Sequence, residues 1–210
     1  MNYLDLESWK RRDTFEYFKD FEDPFFNLTA PVDATPLYGF VKRHGLSFSI
    51  VSLFCSLQAA NAIPEFRLRN VDGKVAEFET IDATQTILND DETFSFCYFQ
   101  NHSDVFEFER NGRESVKKYK TQKSFDVESE RVDLIYYSVI PWISFTSFKH
   151  AGRLDNRQSV PRMVFGKLFE QNGRMMLPHS VEVHHALADG LHVGRYFESL
   201  QTRIDQLDEL

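Results

Sequence analysis

The stretch 171–190, QNGRMMLPHSVEVHHALADG, contains a turn, a strand and the start of a helix, and its reading decides the fold. Asn172-Gly173 supplies two consecutive residues that tolerate positive φ, the requirement of a tight hairpin turn. The apolar runs Met163–Phe169 and Met175–His185 are then its two arms. After Asp189, the positions Val193, Tyr196, Phe197, Leu200, Ile204 and Leu207 follow a 3.6-residue period, which predicts a long helix with one apolar stripe laid on a sheet.

Working outward, Asp72-Gly73 marks a second hairpin between Phe66–Asn70 and Val75–Phe78, and period-two runs at Thr84–Leu88, Thr93–Phe99 and Val132–Ile140 read as further strands. Helical spacing appears at Trp9–Phe21, with Ser8 as its expected cap, at Pro36–Arg43, at Phe48–Ala62 and at His102–Lys120. Hairpins occupying the middle of the chain, with helices interleaved, predict an α+β fold. This is a two-layer sandwich of a mixed, largely antiparallel sheet with helices packed on one face. Glycine and proline are scattered, and neither repeats nor low-complexity tracts occur, so residues 1–210 are expected to form a single domain.

At 210 residues the chain is long enough to bury roughly 70% of its unfolded surface, and it needs no disulfide framework. The two cysteines, Cys55 and Cys97, lie in apolar surroundings and read as reduced thiols, which points to a cytoplasmic setting. With 24 basic against 32 acidic residues the net charge is −8, which argues against an electrostatic grip on nucleic acid or anionic lipid. No apolar run reaches the roughly 20 residues that span a bilayer, and Met1–Arg12 lacks a signal-peptide pattern. The 21 phenylalanines fit an aromatic core with subunit interfaces or an aromatic-lined ligand pocket, and composition leaves both open.

Chemistry concentrates at Val181–Gly190. In a strand, Val181, Val183 and His185 share one face and Ser180, Glu182 and His184 the other. His185 therefore ends an apolar row, where a desolvated imidazole stays neutral and accepts a proton from a hydroxyl. The same row also fits a core histidine satisfied by its neighbours. Asp189, at the strand-to-helix junction, is placed to cap backbone N–H groups and to face a cation. A metal site from His184, His185, His192 and Asp189 is disfavoured, because adjacent strand histidines point opposite ways. Phosphate-loop, dinucleotide and Gly-x-Ser-x-Gly patterns are missing, which leaves kinase, dehydrogenase and α/β-hydrolase readings without support.

The His184-His185-Ala-Leu-Ala-Asp189-Gly190 segment resembles the His-His-x-x-x-Asp-Gly signature of the chloramphenicol acetyltransferases, within the wider CoA-dependent acyltransferases. Four further blocks are similar in order and spacing: Trp9-Lys10-Arg11-Arg12-Asp13-Thr14-Phe15-Glu16, Pro64-Glu65-Phe66-Arg67, Glu92-Thr93-Phe94-Ser95 and Pro141–Phe148. The resemblance implies acetyl transfer from acetyl-CoA to the primary hydroxyl of chloramphenicol, a cytoplasmic homotrimer with active sites between subunits, and antibiotic resistance as the outcome. It implies His185 as general base, Ser138 as oxyanion donor, and Asp189 paired with Arg11 to hold the loop. Phe18, Phe26, Phe94 and Phe148 fall near its acceptor-pocket positions and Lys167 on its CoA side, and no metal is implied.

Several positions depart from the family pattern. Val164 replaces a threonine, Arg162 replaces an apolar pocket residue, Glu22 falls near the same pocket, Leu168 replaces a tyrosine and Glu182 a glutamine. Arg162 and Glu22 are expected either to pair or to recognise an acceptor more polar than chloramphenicol. A non-catalytic protein that binds drugs in an aromatic pocket is the alternative of a different class. The joint presence of His185, Ser138, Asp189 and Arg11 weighs against it.

Overall fold

The computed structural model describes residues 1–122, 131–151 and 159–209. In chain order its elements are β1 (Asn2–Tyr3), α1 (Arg12–Phe18), β2 (Phe25–Asp33), α2 (Thr35–His44), α3 (Phe48–Asn61), β3 (Leu68–Val71), β4 (Lys74–Glu77), β5 (Asp82–Leu88), β6 (Phe94–Phe99), α4 (Val105–Gln122), β7 (Leu134–Val139), β8 (Arg162–Phe165), β9 (Phe169–Gln171), β10 (Arg174–His184) and α5 (Gly190–Asp205). The main sheet runs β2-β10-β8-β7-β5-β6, with β9 added beside β10, and a small sheet runs β1-β4-β3. Among the described residues only β5–β7 and β7–β8 are parallel, so the sheet is mixed and largely antiparallel as expected.

Both expected hairpin turns form, with Asp72 and Gly73 at φ 51° and 80° and Asn172 and Gly173 at 52° and 76°. The arm expected at Met163–Phe169 is, however, two strands. At Gly166 a Cβ would meet Phe145 and Pro178 at 3.0 Å, so glycine lets the chain pass close and leave the sheet before β9 resumes pairing. The first helix also starts later than expected, at Arg12. Ser8 does not cap it, because its hydroxyl bonds Asp5 instead.

Strand β10 sits at the centre. It pairs with β2 from Met176 opposite Asp33 to His184 opposite Phe25, and with β8 on its other side. Val181 and Val183 face the helix layer, where they join Met163, Phe165, Leu53, Leu57, Tyr196 and Leu200 in the main core. Helix α3 is buried nearly all round and packs against α2, α4 and α5, so α2 to α5 form one layer on one face. Cys55 and Cys97 are free and buried, and burial pushes both thiols up to about 12.

One polar chain crosses this core. Burial pushes His179 down to about 3, so the ring is neutral; its Nδ1 donates to the Val164 carbonyl (3.1 Å), and its Nε2 then accepts from the Tyr196 hydroxyl (2.8 Å). That fixes the remaining directions: Ser56 donates to Tyr196 (2.5 Å) and accepts from Tyr137 (2.8 Å). Strands β7, β8 and β10 are thereby tied to α3 and α5. Tyr196→Phe leaves both Ser56 and His179 short of a buried partner, and a loss of about 1–3 kcal/mol is expected. Chemical denaturation of wild type and variant reads that loss, and equal midpoints would mean that the chain contributes nothing.

Candidate active site

Beyond His184 the chain leaves the sheet, and residues 185–189 turn into α5. The His185 N–H bonds the Pro24 carbonyl (2.8 Å), and the imidazole stacks on Phe18 with centroids 4.1 Å apart and planes 7° from parallel. Phe26 flanks the same ring at 4.7 Å. His185 is half-buried, so the closed-off setting read from strand alternation is partial, and its buried Nδ1 has no hydrogen-bond partner among the described residues. Ala186 and Leu187 anchor the turn by packing into a second small core with Phe15, Leu68 and Val75, edged by Leu4, Leu6 and Trp9.

The far end of the turn is held by charge. Arg11 Nη1 donates to Asp189 Oδ2 at 2.6 Å, bridging the start of α1 to the cap of α5. Asp189 Oδ1 accepts from the Leu191 N–H (3.1 Å), and the Asp189 N–H donates to His192 Nδ1 (3.1 Å), so cap and helix satisfy each other. Burial works to raise the Asp189 carboxyl, and the Arg11 hydrogen bond leads the effects that outweigh it, so the group lies below its ordinary value. Burial lowers His192 against the pull of Glu65 and Asp189. Its ring, neutral with Nδ1 as acceptor, presents Nε2–H to Glu65 Oε1 at 3.2 Å. Glu65 and His192 complete this clamp; the sequence offered His192 only as a disfavoured metal ligand and Glu65 only within a motif block, so neither was assigned this role.

Ser138 lies elsewhere on the sheet. It sits on β7 beside Val164 of β8, which pairs with Ser180 of β10, and its hydroxyl is 3.4 Å from that of Thr86. His184, the last residue of β10, is four residues beyond Ser180, about 13 Å along the strand at ~3.3 Å per residue, and His185 lies past it on the turn. One chain therefore does not bring Ser138 to its own His185. Phe18 and Phe26 meet His185, whereas Phe94 is exposed at the start of β6, stacked edge-on to Phe96. Phe148 packs between Phe145 and His150. Lys167 is exposed, its backbone latched to Ile143 and Ser144.

The expected pairing of Arg162 with Glu22 is not what forms. Arg162 Nη1 donates to Glu182 Oε1 at 2.9 Å with both side chains buried, and the guanidinium lies 4.3 Å from the Phe25 ring centre. Glu22 is exposed. Register explains the difference: Arg162 and Glu182 are directly opposite across β8 and β10. Among the described residues no group of three His, Cys, Asp or Glu side chains is arranged to hold a metal ion, and no helix is long and apolar enough to cross a membrane.

With this geometry in view, the profile of the family described as "Chloramphenicol acetyltransferase" matches residues 1–201. The chain belongs to the chloramphenicol acetyltransferase family. It is 29% identical to a chloramphenicol acetyltransferase of Proteus mirabilis, covering 97% of this chain and 94% of that one. It is 30% identical to chloramphenicol acetyltransferase 3 of Escherichia coli, over 96% of each. A solved chloramphenicol acetyltransferase superposes with a TM-score of 0.87 at 27% identity, covering 97% of this chain and 99% of the other. The protein is thus an acyltransferase built on that fold.

The Arg11–Asp189 pair carries a stability prediction with a definite pH window. Asp189→Asn is expected to cost about 1–3 kcal/mol at neutral pH, the range for a partly exposed hydrogen bond between charged groups. Because the folded carboxyl lies below its unfolded value, the stabilisation is complete above about pH 4 and fades as pH falls through the lowered value. Thermal unfolding across pH 3 to 8 checks this, with the gap between wild type and variant narrowing only at the acid end; a gap independent of pH would overturn it.

Proposed function

We propose that the protein transfers acetyl from acetyl-CoA to the primary hydroxyl of chloramphenicol, with His185 as general base. The observation that carries this is the setting of His185. The ring is clamped between Phe18 and Phe26 on a turn locked by Arg11 and Asp189. The acceptor oxygen attacks the thioester carbonyl carbon; a C–O bond forms, the C–S bond breaks, and the hydroxyl proton passes to His185 and on to the departing thiolate. The thioester supplies an activated acyl group, so no covalent enzyme intermediate is needed. Ser138 is assigned as the donor to the oxyanion, a role that contributes about 2.7 to 4 kcal/mol to lowering a barrier.

The separation of Ser138 from His185 in one chain supports a homo-oligomer, read as a trimer from the family resemblance, in which the base of one copy meets the Ser138 of the next. Phe18, Phe26, Phe94, Phe148, Arg162 and Val164 are assigned to the acceptor side and Lys167 to the CoA side. Buried free thiols fit a reducing cytoplasm. Acetylation adds bulk and removes a hydroxyl donor, so a target that hydrogen-bonds that group rejects the product, which would make the host resistant.

Release of free CoA thiol from acetyl-CoA and chloramphenicol tests the assignment. His185→Ala is expected to lose about 100- to 10,000-fold in turnover while keeping its melting temperature. Near-normal turnover in the variant would overturn the role of the base, and an inert wild type would overturn the acceptor.

A further inference from the structure

The sheet face turned away from the helices carries a row of polar groups, of which Asn27, Glu182 and His184 have no part in the transfer chemistry proposed above. On β10 and its neighbours this face presents Asn27, Glu182, His184 and Arg162, and it continues across β8 and β7 to Ser138. Glu182 and Arg162 satisfy each other at 2.9 Å. The other members do not close their bonds. His184 is 1% exposed; its Nδ1 accepts from the Ala186 N–H at 3.2 Å, which puts the proton on Nε2, and that buried Nε2–H has no partner. Asn27 Oδ1 accepts from the Ser180 hydroxyl at 2.9 Å and from Thr29 at 3.1 Å, so its amide NH₂ is turned away from them, and it too is buried without a partner.

His150 approaches the same row from the loop after β7. Both its ring nitrogens are buried without a hydrogen-bond partner, and the nearer one lies 4.0 Å from Glu182, beyond hydrogen-bond reach. Burial and the Arg162 charge push His150 down to about 4, and burial, His185 and Arg162 push His184 to about 4, so neither ring carries a charge that would pair with Glu182 at neutral pH. The tally of unmet groups is lopsided. Asn27, His184 and His150 each offer a buried N–H, and only the second nitrogen of His150 offers an unmet acceptor. Buried donors left this way are costly, and each calls for an acceptor that the chain itself does not supply.

We propose that Asn27, His150 and His184, arranged around the Arg162–Glu182 pair, form a polar acceptor subsite that selects alcohols bearing hydrogen-bond-accepting oxygens away from the reacting hydroxyl. The proposal rests on the acetyl-transfer reading for its substrate and on the orphaned donors for its chemistry. An acceptor that places nitro, sulfonyl, carbonyl or hydroxyl oxygens on this row meets the unmet N–H groups, and an all-apolar analogue leaves them unpaired. Discrimination of this kind is steep, because the loss is borne by buried protein groups and not by the ligand alone.

The test compares chloramphenicol with two analogues that keep the reacting hydroxyl, one with methyl in place of the nitro group and one with an alkyl chain in place of the dichloroacetamide. Wild type is expected to lose roughly tenfold or more in kcat/KM on at least one analogue. Asn27→Leu and His150→Leu are expected to narrow that gap through KM. If either fails to fold, the paired replacement Arg162→Met with Glu182→Leu, which removes both charges together, is read in the same way. A wild type that treats all three alike, or variants that keep the full gap, overturns the subsite. So does a gap that is kept while the oligomer dissociates, since the donors would then serve a second copy. Calorimetric titration of the same compounds without acetyl-CoA separates the two readings. Absence of CoA release with every acceptor defeats the transfer reading, and the binding gap alone then decides the subsite.

Discussion

Strand β10 is buried on both faces, and the rest of the structure depends on how its two sets of side chains are satisfied. Val181 and Val183 need only apolar neighbours, and α3 and α5 provide them. The opposite set, Ser180, Glu182 and His184, must be met by hydrogen bonds or charges, because a buried polar group without a partner costs more than it returns. Arg162 meets Glu182, Asn27 meets Ser180, and His184 is met on one nitrogen only. The same strand holds His179 at the head of the polar chain that runs through Tyr196 and Ser56 to Tyr137, one residue before Ser138.

This arrangement links stability to chemistry at the end of β10. The strand is rigid through the cross-sheet bonds, and the turn that follows is pinned at one end by the Pro24 carbonyl and at the other by the Arg11–Asp189 bridge. Little freedom is left for the His185 backbone, while Phe18 and Phe26 restrict its ring. A half-buried imidazole held this way is preorganised, which suits the role of base proposed for it. The N-terminal segment is part of the same device, since Trp9, Phe15 and Arg11 form the floor and the lock of the turn.

Much of this was legible from the chain alone. Asn172-Gly173 and Asp72-Gly73 located both hairpins because positive φ at two consecutive positions is a local demand met by few residue pairs. The 3.6-residue stripe from Val193 to Leu207 located α5 because an amphipathic helix writes its burial into its spacing. The break after Phe165 was not legible: it depends on the close approach of Phe145 and Pro178 to Gly166, which are distant in sequence. The cap of α1 was misplaced because Ser8 is taken by Asp5, a competition between two short-range bonds that composition does not resolve.

By itself, the sequence determined the fold class, the family and the residues of the signature, because periodicity, turn chemistry and motif identity are properties of neighbours along the chain. Tertiary structure alone decided which of those residues meet. Arg162 turned to Glu182 and not to Glu22, since strand register put one opposite and left the other exposed. Ser138 was placed on β7 level with Ser180 of β10, while His185 was carried past the far end of that strand. Glu65, His150 and Asn27 acquired their places only when the sheet and the N-terminal segment closed around the turn, because burial and the presence or absence of a partner are properties of the whole packed molecule.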